Sequence, residues 1–248
     1  MLTMIFAAAM AAAAGAVPAR PHTVRNVVLV HGATMDGSSW RPVYDRLRAR
    51  GFRVQVVQLP LTGLADDVAA TRQVIERQDG PVVLVGHSYG GAVVSAAGTD
   101  PKVRSLVYVA AFQPDVGESI ADLGARFPMV AHPVMVTSSA MIVAPEAFRA
   151  DIAADLQVAT TDFLADAQRP TAVAAFTTRA STAAWRDKPS WALVARQDRT
   201  VAPDLERFMY ARSKARTVEV DASHLAQLSK PDAVVALIEE AADVQVAP

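Results

Sequence analysis

The chain is expected to fold as an α/β protein, with about six parallel strands and helices on both faces of the sheet. Three observations predict this. From about Arg25 onward, short strand-like runs alternate with amphipathic helical stretches. Several strand runs are apolar throughout instead of alternating, which marks strands buried on both faces. The length of 248 residues, with no cysteine and 52% hydrophobic residues, suits one large domain that buries a core without disulfides or structural metals.

Taken in order, Val27-Val28-Leu29-Val30 is the first strand, broken by His31-Gly32. Residues 40–50 follow as a helix, with Val43 and Leu47 at helical spacing and Gly51 as its stop. Residues 53–59 are the next strand. Residues 64–78 form a helix with Leu64, Val68 and Ile75 on one face, ended by Gly80-Pro81. Val82-Val83-Leu84-Val85 is the third strand and residues 89–98 a helix of small residues. Strands at 105–110, 191–195 and 217–220 and helices at 203–212 and 231–242 complete the alternation. It is interrupted once, over residues 113–185. That stretch is proline-containing, with a helical pattern at 147–163 and room for a hairpin at 134–143 around Ser138-Ser139. A long insertion at the strand ends of an α/β sheet suggests a lid over a pocket. The expected organisation is therefore a core of residues 24–112 and 186–244, with a lid at 113–185.

Upstream, residues 4–17 form an alanine-rich apolar run, too short for a bilayer-spanning helix of about 20 residues. With small residues at Ala14-Gly15-Ala16 and Val17-Pro18-Ala19, residues 1–19 read as a signal-peptide-like segment, although Met1-Leu2-Thr3 brings no basic side chain. The expectation is export to the periplasm or medium, with a cytoplasmic location as the alternative. No other segment is long and apolar enough to span a membrane. A net charge of −1 argues against a nucleic-acid partner.

Gly86-His87-Ser88-Tyr89-Gly90 stands directly between an apolar strand and a helix, the setting in which a G-x-S-x-G pattern carries chemistry. Ser88 would sit on a tight turn that only small neighbours permit, hence Gly86 and Gly90, with Gly91 allowing close helix packing. A serine hydroxyl needs a base within hydrogen-bond reach, and the base needs an orienting acid. Of five histidines, His224 follows the last strand and suits the base. His22 lies in the tail and His132 in the insertion; His87 neighbours the nucleophile but points elsewhere. Asp198, just after the fifth strand, is the candidate acid, with Asp204, Asp115 and Asp221 as rivals. The oxyanion hole requires two backbone donors. One is the Tyr89 N–H; the other comes from the loop after the first strand, Ala33 first and Thr34 second, with His31 bracing that loop.

These features resemble the α/β-hydrolase superfamily over about residues 24–242: His31-Gly32-Ala33 after a strand, Gly86-His87-Ser88-Tyr89-Gly90-Gly91, Asp198, and the run from Ser223-His224 to Pro231. Within it the chain looks like the small-lid branch that holds plant methyl esterases, hydroxynitrile lyases and bacterial esterases. The resemblance implies ester hydrolysis by Ser88, His224 and Asp198 without a cofactor, acting on a small-molecule ester. Hydroxynitrile lyases of this branch carry lysine and threonine where Leu225 and Gly32 stand, which favours esterase over lyase. Lactone or amide hydrolysis, a hydroxynitrile-lyase-like reaction on the same site, and a non-catalytic ligand receptor are the alternatives. Thr34, Phe112, Phe127, Trp185 and Leu225 are candidate pocket residues, with Met129, Met135, Met141, Ile142, Phe163, Leu164 and Phe176 also available. The few charges among them suggest a small, mostly apolar substrate. No histidine or carboxylate spacing suggests a metal site.

Overall fold

The computed structural model describes residues 24–127 and 130–244. The segment read as a signal peptide, His22 and Met129 lie outside the described residues. The chain begins with β1 (Asn26–Val30), α1 (Arg41–Ala49), β2 (Arg53–Val56), α2 (Leu64–Glu76), β3 (Val82–Ser88), α3 (Gly90–Ala97) and β4 (Val103–Ala111). The insertion contains α4 (Ile120–Arg126), β5 (Pro133–Met135), β6 (Ala140–Val143), α5 (Pro145–Ile152), α6 (Val158–Asp166), β7 (Thr171–Ala172) and α7 (Ala174–Thr177). The alternation then resumes with β8 (Ser190–Ala195), α8 (Pro203–Arg212), β9 (Arg216–Val220), α9 (Ala226–Ser229) and α10 (Pro231–Ala242).

Six strands pair in parallel in the order β2-β1-β3-β4-β8-β9. The apolar runs explain the positions: β1, β3 and β8 are buried along their whole length, whereas the edge strands β2 and β9, with alternating or charged sequences, are partly exposed. Each face carries its own core. Leu64, Ile75, Val93, Leu205 and Met209 from α2, α3 and α8 pack on one side. Val43, Leu47, Val234, Leu237 and Ile238 from α1 and α10 pack on the other. Each such side chain, fully buried, stabilises by roughly 1.5–3 kcal/mol. From β1 the chain runs outward to β2 and then crosses back to β3 on the opposite side. The connections after β1 and β3 therefore diverge at their C-terminal ends, which opens the crevice where ligands of α/β sheets bind.

The insertion forms its own three-stranded antiparallel sheet, ordered β5-β6-β7, with β5 and β6 as the expected hairpin. The single helix expected over 147–163 is instead two, α5 and α6. The reason is tertiary. The carbonyls of Asp151 and Ile152 at the end of α5 accept from Thr200 Oγ1 (3.0 Å) and Ser223 Oγ (3.3 Å), and Ser223 also bonds Asp155. A helix end whose carbonyls find partners outside the helix has no need to continue. The insertion is tied down further at its far end. Arg169 N donates to Thr34 O (2.9 Å), Arg169 Nη1 to Leu59 O (3.0 Å) and Ala172 N to Leu61 O (2.9 Å). Among the described residues no helix is long and apolar enough to cross a membrane.

Candidate active site

Ser88 ends β3 with φ +53°, in the left-handed region that a non-glycine residue adopts only under constraint. The constraint is close packing of the turn on itself and on β1. A Cβ on Gly86 would stand 2.6 Å from Gly90 O, and one on Gly90 would stand 2.6 Å from His31 O. Both positions therefore require glycine, for proximity and not for dihedral freedom.

The turn projects Ser88 toward the loop after β9. There His224 Nε2 lies 2.8 Å from Ser88 Oγ, and His224 Nδ1 lies 2.6 Å from Asp198 Oδ2. The other oxygen of Asp198, Oδ1, accepts the N–H groups of Thr200 (2.7 Å) and Val201 (2.9 Å). An acid held as an acceptor on both oxygens fixes the proton of His224 on Nδ1, leaving Nε2 as the acceptor that faces the serine. All three side chains are buried. The rival acids are engaged elsewhere: Asp115 by Arg186, Asp204 by Arg207 and Asp221 by Arg196.

Two other histidines frame this chain of bonds. His87 Nε2–H donates to the backbone carbonyl of His224 at 2.9 Å, while its Nδ1 is buried without a partner. Burial, and next to it the neighbouring His224, push the His87 imidazole well below the ordinary histidine range. His31 Nε2 accepts the Leu59 N–H (3.0 Å), so its Nδ1–H donates to Gly32 O (2.8 Å). His31 thus pins the loop after β1, and burial brings its pKa down to about 4. In that loop the Thr34 N–H donates to Thr171 Oγ1 at 2.9 Å and is committed. Ala33, in the same loop, lines the cavity beside Ser88. Tyr89 is anchored through its phenol, which donates to the buried Asp67 at 2.5 Å; Asp67 also accepts the Leu61 N–H at 2.8 Å. Asp67 escaped the reading of the sequence because an aspartate in the first turn of a helix has an ordinary electrostatic role there.

A cavity of about 540 Å³ opens over Ser88. Thr34, Phe112 and Leu225 line it, together with Met141, Ile142 and Phe176 from the insertion. Among the described residues no Lys, Arg, Asp or Glu lines it. Two expected pocket residues do not reach it. The Trp185 indole donates to Pro114 O at 3.0 Å, beneath the Arg186 and Arg212 guanidiniums. Phe127 packs on Phe208 and Arg126. Both instead pack in or against the main core, with arginine guanidiniums over their faces. Met135 and Phe163 are exposed. Among the described residues no group of three or more potential ligands is placed to hold a metal.

Comparison with known proteins places the chain as a whole. A carbendazim hydrolyzing esterase of Nocardioides sp. (strain SG-4G) is 37% identical over 114 residues, which is 40% of this chain and 46% of that protein. Methylesterase 8 of Arabidopsis thaliana is 32% identical over 120 residues, 42% of this chain and 44% of that protein. The matched stretch thus spans less than half the length of each. A pyrethroid hydrolase from Sphingobium faniae JZ-2 superposes with a TM-score of 0.74 at 21% identity, over 90% of this chain and 98% of that one. The match to the alpha/beta hydrolase family runs over residues 27–237, through both halves of the sheet and the insertion between them, and the chain belongs to that family.

Proposed function

We propose that the protein is a serine hydrolase that cleaves carboxylic esters of small, uncharged, mostly apolar compounds. The observation that carries this reading is the continuous relay Ser88–His224–Asp198, opening into a cavity without ionisable side chains apart from the histidines. In the proposed reaction Ser88 Oγ attacks the ester carbonyl as His224 Nε2 takes its proton. Asp198 holds the imidazole and stabilises its cationic form. The Ala33 and Tyr89 amides receive the oxyanion. His224 returns the proton to the leaving alcohol, and a water activated by the same nitrogen releases the acid. An anionic or cationic substrate would lose its hydration in this cavity with no countercharge to offset the loss. Support also comes from relatives named as esterases and methylesterases.

Residues 113–185 would act as the lid, since they supply one side of the cavity. Export rests on residues 1–19 alone; a mature chain beginning near Val17 or Arg20 by mass spectrometry would support it, and an intact Met1 would refute it. The hydrolase reading is tested with p-nitrophenyl esters from acetate to decanoate, assayed on wild type and Ser88→Ala. Activity that disappears with the serine is the expected result. Activity that survives the substitution refutes the nucleophile.

A further inference from the structure

A second carboxyl group stands behind the triad acid, and the relay above does not use it. Glu206 shares the buried face of α8 with Leu205, Met209 and Tyr210, and its side chain is fully buried. Its Oε2 accepts the Ala195 N–H, at the end of β8, at 3.0 Å. Its Oε1 meets no donor. The side chain it does contact is that of Asp198, whose oxygens already accept from Thr200 N–H, Val201 N–H and His224 Nδ1. Two ionised carboxyls in buried contact repel, whereas one shared proton turns the contact into a hydrogen bond.

The surroundings decide which group holds that proton. Asp198 has three donors that favour its charged form and Glu206 has one. Arg207, the nearest cation on the same helix, is turned outward to Asp204 and Glu219. Tyr210, the other titratable neighbour, donates its hydroxyl to Ala111 O at 2.8 Å. His224 is engaged with Asp198 Oδ2 through Nδ1. Burial, followed by the charge of Asp198, pushes the Glu206 carboxyl well above the usual carboxylate range.

We infer that Glu206 is a positioning residue: it carries a proton at neutral pH and donates it in a hydrogen bond to Asp198, which aligns that carboxylate with His224 and moderates its charge. The inference rests on the Ser-His-Asp reading proposed above. Two substitutions separate its parts. Glu206→Gln keeps a donor for Asp198 and an acceptor for Ala195 N–H. Glu206→Met fills a similar volume and supplies neither.

Both variants and wild type would be assayed on p-nitrophenyl butyrate across pH, with a fluorophosphonate label on Ser88 to count competent sites. Glu206→Gln is expected to keep kcat within about 3-fold and to leave the midpoint of the acid limb in place. Glu206→Met is expected to lose about 10-fold or more in kcat with KM little changed. Its acid limb moves up, because an unmoderated Asp198 charge favours the imidazolium form of His224. A Glu206→Gln limb that moves down would mean that a real charge had been removed, and would overturn the inference. So would a folded Glu206→Met with unchanged kcat and limb. If the Met variant does not fold, the infrared difference between wild type and Glu206→Gln decides: a protonated-carboxyl band in wild type supports the inference and its absence overturns it. A wild type whose Ser88 takes no label sinks the hydrolase reading instead, a result distinct from labelled enzyme with indifferent Glu206 variants.

Discussion

The two walls of the cavity are built by different rules. The lower wall is the C-terminal edge of the parallel sheet, where backbone meets backbone at the limit of contact. Gly90 has no room for a methyl group, and Ser88 is held at φ +53°. The upper wall is the insertion, made of short helices and a small sheet whose outer strand, β5, is exposed along its length. Beside the hydrogen bonds that tie it down, a small apolar cluster joins it to the body, where Met35 and Leu225 meet Phe148 and Ile152. The lower wall fixes atoms and the upper wall fills space, so under the proposed function chemistry would belong to the first and choice of substrate to the second.

That contrast breaks most severely at Ser88. Ser88→Ala should lower kcat by at least about 10⁴-fold, since the members of a nucleophilic relay act as a unit. The melting temperature should stay near that of wild type, because only one hydroxyl is lost. Turnover of a chromogenic ester alongside a thermal melt would check both. Gly90→Ala tests the same wall through its backbone. Its methyl would meet the His31 and Val30 carbonyls at 2.6 and 2.7 Å. The cost should be about 3 kcal/mol or more by urea denaturation, above the usual range for an overpacked core. A cost under about 1 kcal/mol would show that the strand ends can part, and that the wall is less rigid than its contacts imply.

The walls should also separate on acidification. His31 and His87 are buried and neutral in the lower wall, while His132 in the insertion is largely exposed and hydrogen-bonded to Asp151 at 2.6 Å. For His31, the unfolded chain takes up its proton near pH 6.5 and the folded chain only near pH 4. The contribution is therefore fully present above pH 6.5 and is lost as pH falls toward 4, by on the order of 3 kcal/mol. Urea midpoints at pH 7.5 and 4.5 would show it. The loss should be smaller in His31→Gln, which is less stable at pH 7.5 but has no imidazole to protonate there.

The same division decides what could be read in the sequence. Ser88 was legible because its signals are local: an apolar run, two glycines and a helix start, each with its own steric reason. His224 and Asp198 were legible because parallel topology brings successive strand ends to one edge. Placements set by long-range partners were not legible. Trp185 and Phe127 look like pocket aromatics until Arg126, Arg186 and Arg212 are placed beside them. Residues 147–163 look like one helix until Thr200 and Ser223 take the carbonyls that end α5. Glu206 had a signal that was overlooked, a carboxylate within the apolar stripe of Leu205, Met209 and Tyr210. Such a residue is either a misplaced charge or a protonated group with a partner, and only the fold brings Asp198 to it.

The smallest effect belongs to the upper wall and sharpens the contrast most directly. Ile142 lines the cavity from β6 and is only partly buried, so Ile142→Ala leaves space next to an opening and not a sealed void. Collapse or water can fill such a space, so the stability cost should fall below the 2–5 kcal/mol of a core truncation, at about 1 kcal/mol. Three carbons of apolar contact are lost to a long acyl chain, each worth up to about 0.8 kcal/mol when fully buried. For a partly buried side chain the net rise in KM should be about 3- to 10-fold for p-nitrophenyl decanoate. The acetate ester, lacking the long acyl chain, is expected to keep its kcat. Kinetics of the two esters on one preparation would decide. A change confined to the long ester places selectivity in the insertion, whereas an equal loss of kcat on both would mean that the upper wall also holds the relay in place.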